Sequence, residues 1–279
     1  MDATYDDGSC AYEFDCLGEC GGMAVEDCLG VCDGDAVEDC LGVCNGTAEY
    51  DCAGACDGTS ALDACGVCGG DAESEDECGS CVDIDGNSYE TIQIGEQEWM
   101  AENLKVTHYN NGDAIPTGYS NSEWVDLDET ETGAYAIYDD DPANAEIYGN
   151  LYNWYTVDDD RGVCPEGWHV PSDDEYTVLT DYLGGTSVAG GKMKEAGLEH
   201  WNSPNTGATN ESGFTGLPAG YRNGGNGDYY SMGDYGYFWS STEGNSNSAW
   251  YRKLDYDDSE VNRFSNDERS GFSLRCLRD

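Results

Sequence analysis

A twelve-residue repeat with two cysteines in each copy limits what the first part of this chain can fold into. A fixed short period predicts a quasi-linear array in which each unit contacts only its neighbours. Each unit offers a leucine and one or two valines or alanines for burial. That is too little apolar surface to offset the entropy of ordering the unit, so we expect covalent crosslinks to stabilise the array. The copies are residues 15–20, 27–32, 39–44 and 51–56, and two variants with tighter cysteine spacing follow at 65–68 and 78–81.

The cysteines of this array predict a disulfide framework made in an oxidising compartment, because thirteen of the fifteen lie in the first 81 residues. Zinc is the competing interpretation, but the repeats contain no histidine and acidic surroundings disfavour thiolates. The sequence leaves open whether a pair closes within one unit or joins one unit to the next. Cys10 has no obvious partner. The expected disulfide cysteines are Cys16, Cys20, Cys28, Cys32, Cys40, Cys44, Cys52, Cys56, Cys65, Cys68, Cys78 and Cys81.

The charge of the chain restricts its partners, since 58 acidic and 11 basic side chains give a net charge of −47. No basic side chain precedes Lys105. We therefore expect neither nucleic acid nor anionic membrane surfaces as partners. Calcium is the expected cofactor, because it prefers hard oxygen ligands. No run approaches the roughly 18 apolar residues of a membrane span. No leader segment is visible after Met1, and we expect an upstream segment to carry both the export signal and the partner of Cys10.

Composition divides the chain into three regions. Residues 1–14 are interpreted as the remnant of an upstream Asp/Cys motif, 15–82 as a disulfide-linked stalk with little regular secondary structure, and 83–279 as a folded domain. The domain contains all seven tryptophans, and its length allows a real hydrophobic core.

Turn signals and periodicity within this domain predict an α+β architecture of short strands and about two helices. Asp85-Gly86-Asn87 ahead of a strand at 89–94 predicts a hairpin. One helix is predicted at Ile147–Val157 from its apolar spacing. The other begins after Ser172, where Glu175 completes a capping box, and ends at Gly184.

Five segments of this domain resemble the Fibrobacter succinogenes major paralogous domain. They are DIDGNSY at 83–89, IGEQEWMAENL at 94–104, YGNLYNW at 148–154, CPEGWHVP at 164–171 and GFSLRC at 271–276. The pattern is also similar to the C-type lectin-like fold shared with formylglycine-generating enzymes, and this implies a disulfide between Cys164 and Cys276. Such a bridge would stabilise the domain by about 4–5 kcal/mol. The amino-terminal repeats resemble cysteine-rich segments of secreted bacterial proteins, which implies an extracellular or cell-surface location.

Catalytic signatures are missing from the sequence, and we expect no enzyme. His108, His169 and His200 are scattered without metal-ligand spacing. No nucleophile elbow, phosphate loop or zinc-protease motif occurs. Formylglycine-generating enzymes use a copper-binding thiol pair, whereas the two cysteines here, Cys164 and Cys276, are expected to be joined to each other.

Acidic clusters and tyrosines are the candidates for ligand binding. The acidic clusters are expected either to bind calcium or to be solvated loops, and Lys253 would compete with a metal. Tyrosines among glycines and asparagines suit stacking on sugars, with packing beneath long loops as the alternative. The metal candidates are Asp139, Asp140, Asp141, Asp255, Asp257 and Asp258, and the sugar candidates are Tyr221, Tyr229, Tyr230, Tyr235 and Tyr237.

These features together predict a non-enzymatic surface protein in which an acidic stalk presents a lectin-like domain. Its expected partners are glycans or other surface proteins, and its expected role is adhesion or glycan recognition. The alternative is a structural subunit that self-assembles into an extracellular filament. A sulfatase-maturation-like oxidase is a third, weaker hypothesis.

Overall fold

The computed structural model describes residues 15–17, 23–52, 54–60 and 79–279. The chain divides into two units, Met1–Cys78 and Gly79–Asp279. The first unit ends at 78, four residues before the predicted end of the stalk at 82, because residues 80–82 pair with residues 88–90 of the second unit. The predicted remnant at 1–14 lies outside the described residues. Within the described residues, no helix is long and apolar enough to cross a membrane.

Interlocked disulfides connect the repeats of the first unit. Each of three bridges in the described part of this unit spans 16 residues and joins the first cysteine of one repeat to the second cysteine of the next. The disulfide prediction is thus confirmed for these cysteines, and the connectivity left open by the sequence is between units. The bridges are Cys16–Cys32, Cys28–Cys44 and Cys40–Cys56, and Cys52 is disulfide-bonded as well. Cys10, Cys20, Cys65, Cys68 and Cys78 lie outside the described residues.

Each repeat is folded around the carboxylate of its aspartate. Asp27 Oδ1 accepts the backbone N–H groups of Leu29 and Val31, both at 2.9 Å, and Oδ2 accepts that of Ala36 at 3.2 Å. The hydrogen bond from Val31 is the main cause of the lowered pKa of Asp27. A side chain at Gly34 would collide with this carboxylate, since its Cβ would lie 2.0 Å from Oδ2. Turns and isolated bridges form the described repeats, as expected for a stalk with little regular structure.

Residues 79–279 form two five-stranded sheets and a two-stranded one. The strands are β1 (Ser80–Val82), β2 (Ser88–Ile94), β3 (Gln97–Met100), β4 (Tyr135–Ala136), β5 (Leu151–Tyr152), β6 (Trp168–His169), β7 (Ala219–Arg222), β8 (Tyr229–Met232), β9 (Tyr235–Asn245), β10 (Ser248–Asp255), β11 (Val261–Asp267) and β12 (Leu277–Arg278). Their orders are β1-β2-β3-β12-β6, β11-β10-β9-β7-β8 and β4-β5. The last strand thus pairs with β3, from the start of the domain, and the predicted hairpin is present as β1 and β2.

Short helices connect these strands, and the predicted α+β class is confirmed, although the α-helices of residues 79–279 number five and not about two, because most of them are too short to give a periodic apolar pattern. They are α1 (Asn121–Val125), α2 (Pro142–Tyr148), α3 (Trp154–Val157), α4 (Asp173–Tyr182) and α5 (Thr186–Met193), with 3-10 helices at Asp126–Glu129 and Tyr138–Asp140. The capping box before α4 is present: Ser172 Oγ accepts the backbone N–H of Glu175 at 3.2 Å, and the Glu175 carboxylate accepts that of Ser172 at 2.7 Å.

The helix predicted at Ile147–Val157 is wrong, because the chain turns at Gly149. This glycine has φ 73°, and a Cβ there would lie 2.7 Å from the carbonyl oxygen of Leu104. The segment therefore divides into the end of α2, strand β5 and the short helix α3, which Asn153 caps.

Aromatic rings fill the interior of this unit, and Arg275 is among its buried arginines. The Phe272 ring lies 4.3 Å from that of Trp239 and 4.9 Å from that of Tyr237. The fully buried Arg275 guanidinium donates to the carbonyl oxygens of Met100 and Thr215 at 3.0 and 2.9 Å. The Cys164–Cys276 disulfide implied by the family resemblance is present beside it.

Candidate functional site

A polar cleft of about 440 Å³ brings together residues that the sequence suggested for two different ligands. We call it the tyrosine cleft. Tyr229 and Tyr230, predicted to bind sugar, lie in it beside Asp139 and Asp140, predicted to bind metal. Its lining consists of Asn121, Asp139, Asp140, Asp228, Tyr229 and Tyr230. The site is therefore assembled from the start of α1, the 3-10 helix at 138–140 and the beginning of β8.

Tyr229 is fixed in the wall of this cleft. Its hydroxyl donates to Asp140 Oδ1 at 2.8 Å, and its ring lies 5.3 Å from that of Tyr138. Burial and this hydrogen bond raise the pKa of Tyr229, so the phenol is neutral at physiological pH. Asp139 and Asp140 both have positive φ, 54° and 53°. Non-glycine residues rarely adopt this conformation, and here it directs two neighbouring carboxylates to the cleft.

Tyr230 supplies the exposed aromatic surface of the cleft, since 38% of it is accessible. Its ring packs on Tyr221 at 5.7 Å, and its hydroxyl accepts a hydrogen bond from Asn226 at 2.8 Å. Asn121 donates to the carboxylate of Asp228 across the cleft. An aromatic face next to amide and carboxylate groups can stack on a sugar ring and exchange hydrogen bonds with its hydroxyls.

The other three predicted sugar-binding tyrosines do not lie in the cleft. Tyr237 is 8% exposed and belongs to the core. Tyr221 and Tyr235 are half-buried and pack against it at 5.0 and 5.9 Å. Side chains alternate between the faces of a strand, and β9 therefore directs Tyr235, Tyr237 and Trp239 to the same side. These three rings thus make packing contacts in the core.

The predicted metal ligands Asp255, Asp257 and Asp258 do come together, with one oxygen of each within 4.8 Å of the others. Two ammonium groups already lie among them. Lys253 Nζ is 2.9 Å from Asp255 Oδ2. The buried Lys194 Nζ donates to the backbone carbonyls of Asp255 and Asp258 at 2.6 and 2.7 Å. One carboxylate of the cluster is thus paired with Lys253, and two of its backbone carbonyl oxygens accept hydrogen bonds from Lys194.

Asp141 is the third aspartate of the acidic run at 139–141, and it has a structural partner. Its carboxylate accepts the backbone N–H of Ala143 at 3.1 Å and caps α2. The tyrosine cleft therefore receives two of the three aspartates predicted in that run.

Comparison with known families decides which family the chain belongs to. The model of the Fibrobacter succinogenes major domain matches residues 92–278. The chain belongs to this family. No curated protein and no solved structure matches the chain.

We call the second unit, Gly79–Asp279, the major domain, because the family match lies within it. Each of its three histidines contacts a carboxylate. His169 Nε2 is 3.0 Å from Glu175 and its Nδ1 is 2.7 Å from Asp279. His200 Nδ1 lies 2.8 Å from Glu195, and His108 contacts Asp85.

Cys81 corrects the disulfide prediction, since its thiol is free and buried. It lies on β1 within the hydrophobic core of the major domain, and burial raises its pKa to about 12. A thiol in this environment stays protonated and behaves as a small apolar side chain.

Two lining residues of the tyrosine cleft, Asn121 and Asp228, were missed by sequence analysis. For Asn121 the sequence does contain a nearby signal, the capping box Ser120-x-x-Glu123, which begins α1. No local pattern indicates that α1 lies against the turn before β8, because that contact depends on the tertiary fold.

Proposed function

We propose that this chain is a secreted or cell-surface recognition protein without enzymatic activity, whose major domain binds glycans in the tyrosine cleft. The observation that carries the proposal is the joining of Tyr229 and Tyr230 with Asp139, Asp140 and Asp228 in one open cavity. Mixed acceptors and donors beside an exposed ring match the amphipathic surface of a sugar.

Interlocked disulfides support the extracellular location. Crosslinks of this density form and persist in oxidising compartments. An acidic array held by such bridges is suited to carry a binding domain away from a cell surface, because like charges keep it extended and soluble.

A lectin-like fold is part of the proposal. Support comes from the pairing of β12 with β3, which joins the end of the domain to its beginning, and from the Cys164–Cys276 bridge. The bridge also removes the thiol pair that a copper-dependent oxidase of the formylglycine-generating type would need, and this supports a non-enzymatic role.

Calcium belongs to the proposal as a cofactor of the tyrosine cleft. Three carboxylates line the cleft, and a hard divalent cation would offset their repulsion and coordinate sugar hydroxyls. Asp255, Asp257 and Asp258 are the weaker candidates because of their lysine neighbours.

A glycan array with and without a calcium chelator tests the proposal. Wild-type protein should bind a defined group of glycans, and Tyr230→Ala should weaken binding by about tenfold, which corresponds to loss of one stacking contact. Tyr182→Ala is the matched control, because Tyr182 is 66% exposed on α4 and outside the cleft. Absence of glycan binding under both conditions, or equal effects of the two substitutions, would reject the proposal.

One observation favours a structural filament as the second candidate. Leu17, Leu29 and Leu41 recur every twelve residues and are 61–62% exposed. Identical apolar side chains at a constant interval offer a surface on which arrays of other copies can pack.

Electron microscopy of native material distinguishes this candidate. Filaments that disappear in Leu29→Ser/Leu41→Ser and persist in the control Val82→Ser would support it; Val82 is 58% exposed in the other unit. Single particles in wild-type material would exclude it.

A further inference from the structure

A second cleft of about 440 Å³ opens in the major domain between the segment at 105–107 and helix α2. We propose that it binds a neutral saccharide. The inference extends the proposed function by an independent site and shares with it only the class of ligand. Its floor is Asn150, and we call it the asparagine cleft.

Asn150 presents a buried acceptor without a partner. Its side-chain nitrogen donates to the carbonyl oxygens of Lys105 and Val106 at 2.9 and 3.3 Å. Because both partners are acceptors, the amide cannot be turned round, and its oxygen must occupy the other position. That oxygen has no hydrogen-bond partner, although the residue is only 1% exposed.

No neighbouring hydroxyl satisfies this oxygen. Tyr152, whose hydroxyl lies 3.4 Å from the Asn150 nitrogen, donates its proton to the carbonyl of Val106 at 2.7 Å. Buried polar groups are nearly always paired, so an unpaired acceptor in a residue that lines an open cavity points to a donor supplied by a ligand. A hydroxyl group of a ligand is such a donor.

The wall beside Asn150 is held rigidly before any ligand arrives. The backbone N–H of Lys105 donates to the hydroxyl of Tyr89 at 3.0 Å, and that hydroxyl donates to Asp83 at 2.6 Å. Thr107 donates through its backbone and its hydroxyl to Asp85, at 2.6 and 2.8 Å. A site that is already ordered loses little conformational entropy on binding.

The charges of the cleft select a neutral ligand. The Lys105 ammonium lies 3.8 Å from Glu146, and Asp85 contacts His108 on the other side. At a position in contact with Lys105, the ammonium group disfavours a second cation, although the carboxylates offset part of this repulsion. The two carboxylates, in a chain of net charge −47, disfavour an anion.

A sugar matches the remaining chemistry. One hydroxyl can accept a hydrogen bond from Lys105 while it or its neighbour donates to Asn150. Tyr135 gives the cleft an aromatic wall, half-buried and packed on Tyr152 at 6.2 Å, with Ile137 beside it. This combination of one donor, one buried acceptor and an apolar wall recognises a saccharide by its hydroxyls and its ring face.

Titration with a panel of neutral sugars (glucose, galactose, mannose, N-acetylglucosamine and cellobiose), followed by NMR of the whole chain, tests the inference. At least one sugar should shift the side-chain amide signals of Asn150. Lys105→Met should weaken its binding by about tenfold, as expected for a lost charge-assisted hydrogen bond. Ala145→Trp, which fills the cleft from α2, should abolish the shifts.

Lys192→Met is the matched control. Lys192 lies 3.8 Å from an exposed glutamate, as Lys105 does, but outside the cleft, and its replacement should leave the affinity within about twofold. Glucuronate and glucosamine serve as charged probes and should bind at least about tenfold more weakly. The inference is overturned if no neutral sugar shifts Asn150, if the charged probes bind better, or if Ala145→Trp binds normally.

The two clefts can fail separately. Tyr230→Ala acts on the tyrosine cleft and Ala145→Trp on the asparagine cleft. Loss of binding in Tyr230→Ala alone would remove this inference and keep the proposed function. Loss of binding in Ala145→Trp alone would keep this inference and remove the proposed function.

Discussion

At the scale of single residues, Lys194 is a positive charge that the fold has internalised. Its buried ammonium donates to three backbone carbonyls, those of Thr206, Asp255 and Asp258, at 3.0, 2.6 and 2.7 Å. Burial lowers the pKa of Lys194, while the nearby aspartates oppose that effect. The ammonium thus joins three chain segments in the way that a bound cation would.

Removing this ammonium group should make the domain less stable against unfolding. We expect Lys194→Met to lower the free energy of unfolding by about 3 kcal/mol, because three buried carbonyls lose their donor. Urea denaturation measures the loss, and Lys192→Met, which removes a half-buried lysine with only a 3.8 Å ion pair, should change stability by less than about 0.5 kcal/mol. Similar losses in the two variants would contradict the structural role.

Glu268 makes stability depend on pH. It is 6% exposed, one of its oxygens is unpaired, and burial, aided by the charge of Glu243, raises its pKa to about 7. Its unfolded pKa is about 4.3. The protonated form is therefore favoured by folding: its stabilising contribution is complete below the unfolded value and is lost as the pH rises through 7.

Urea midpoints measured from pH 5 to pH 8 test this linkage. Wild-type protein should lose about 2–3 kcal/mol across this range from Glu268 alone, and Glu268→Gln should remove that part of the pH dependence. The comparison of the two proteins, not the wild-type curve, is decisive. Parallel curves would contradict the assignment.

At the scale of elements, local signals predicted what local contacts determine. The capping box at Ser172 and the turn at Gly86 each lie within a few residues of the structure that they start, and α4 and the β1–β2 hairpin formed as predicted. The prediction of a helix across residue 149 was wrong because the turn at Gly149 depends on contact with Leu104, which is distant in sequence. The complete tyrosine cleft could not be predicted for the same reason. Its lining comes from residues 121, 139–140 and 228–230, and only the tertiary fold brings these together.

The break at Gly149 gives an element-scale prediction. Gly149 and Gly167 have similar positive φ, 73° and 79°, but only a Cβ at 149 would collide, whereas nothing lies within 4 Å of a Cβ at 167. Gly167→Ala should cost about 1–2 kcal/mol of unfolding free energy from backbone strain. Gly149→Ala should cost at least about 3 kcal/mol, because the contact with Leu104 adds to the strain. Equal losses in urea denaturation would show that the contact relaxes freely.

At the scale of the whole molecule, the two units are stabilised by different physics. The major domain buries aromatic rings around Phe272 and needs one long-range disulfide. The array has its leucines exposed and depends on aspartate-centred turns and on bridges between neighbours. The period and the crosslinks were predictable because the repeated order of residues reveals them; the pairing was not, since both connectivities satisfy the same spacing.

The pairing rule of the array extends beyond the bridges that define it. The first cysteine of each unit joins the second cysteine of the next, 16 residues later, in three successive bridges. The same step from Cys52 leads to Cys68, which is a cysteine despite the altered spacing of that unit. We therefore predict a Cys52–Cys68 disulfide. Proteolysis of non-reduced protein at low pH, where exchange is slow, followed by mass spectrometry should give a crosslinked peptide pair that contains these two residues and separates on reduction. Recovery of Cys52 joined to Cys65 would show that the change from four-residue to three-residue spacing shifts the register, and the array would then end in a different topology from the one that its first units establish.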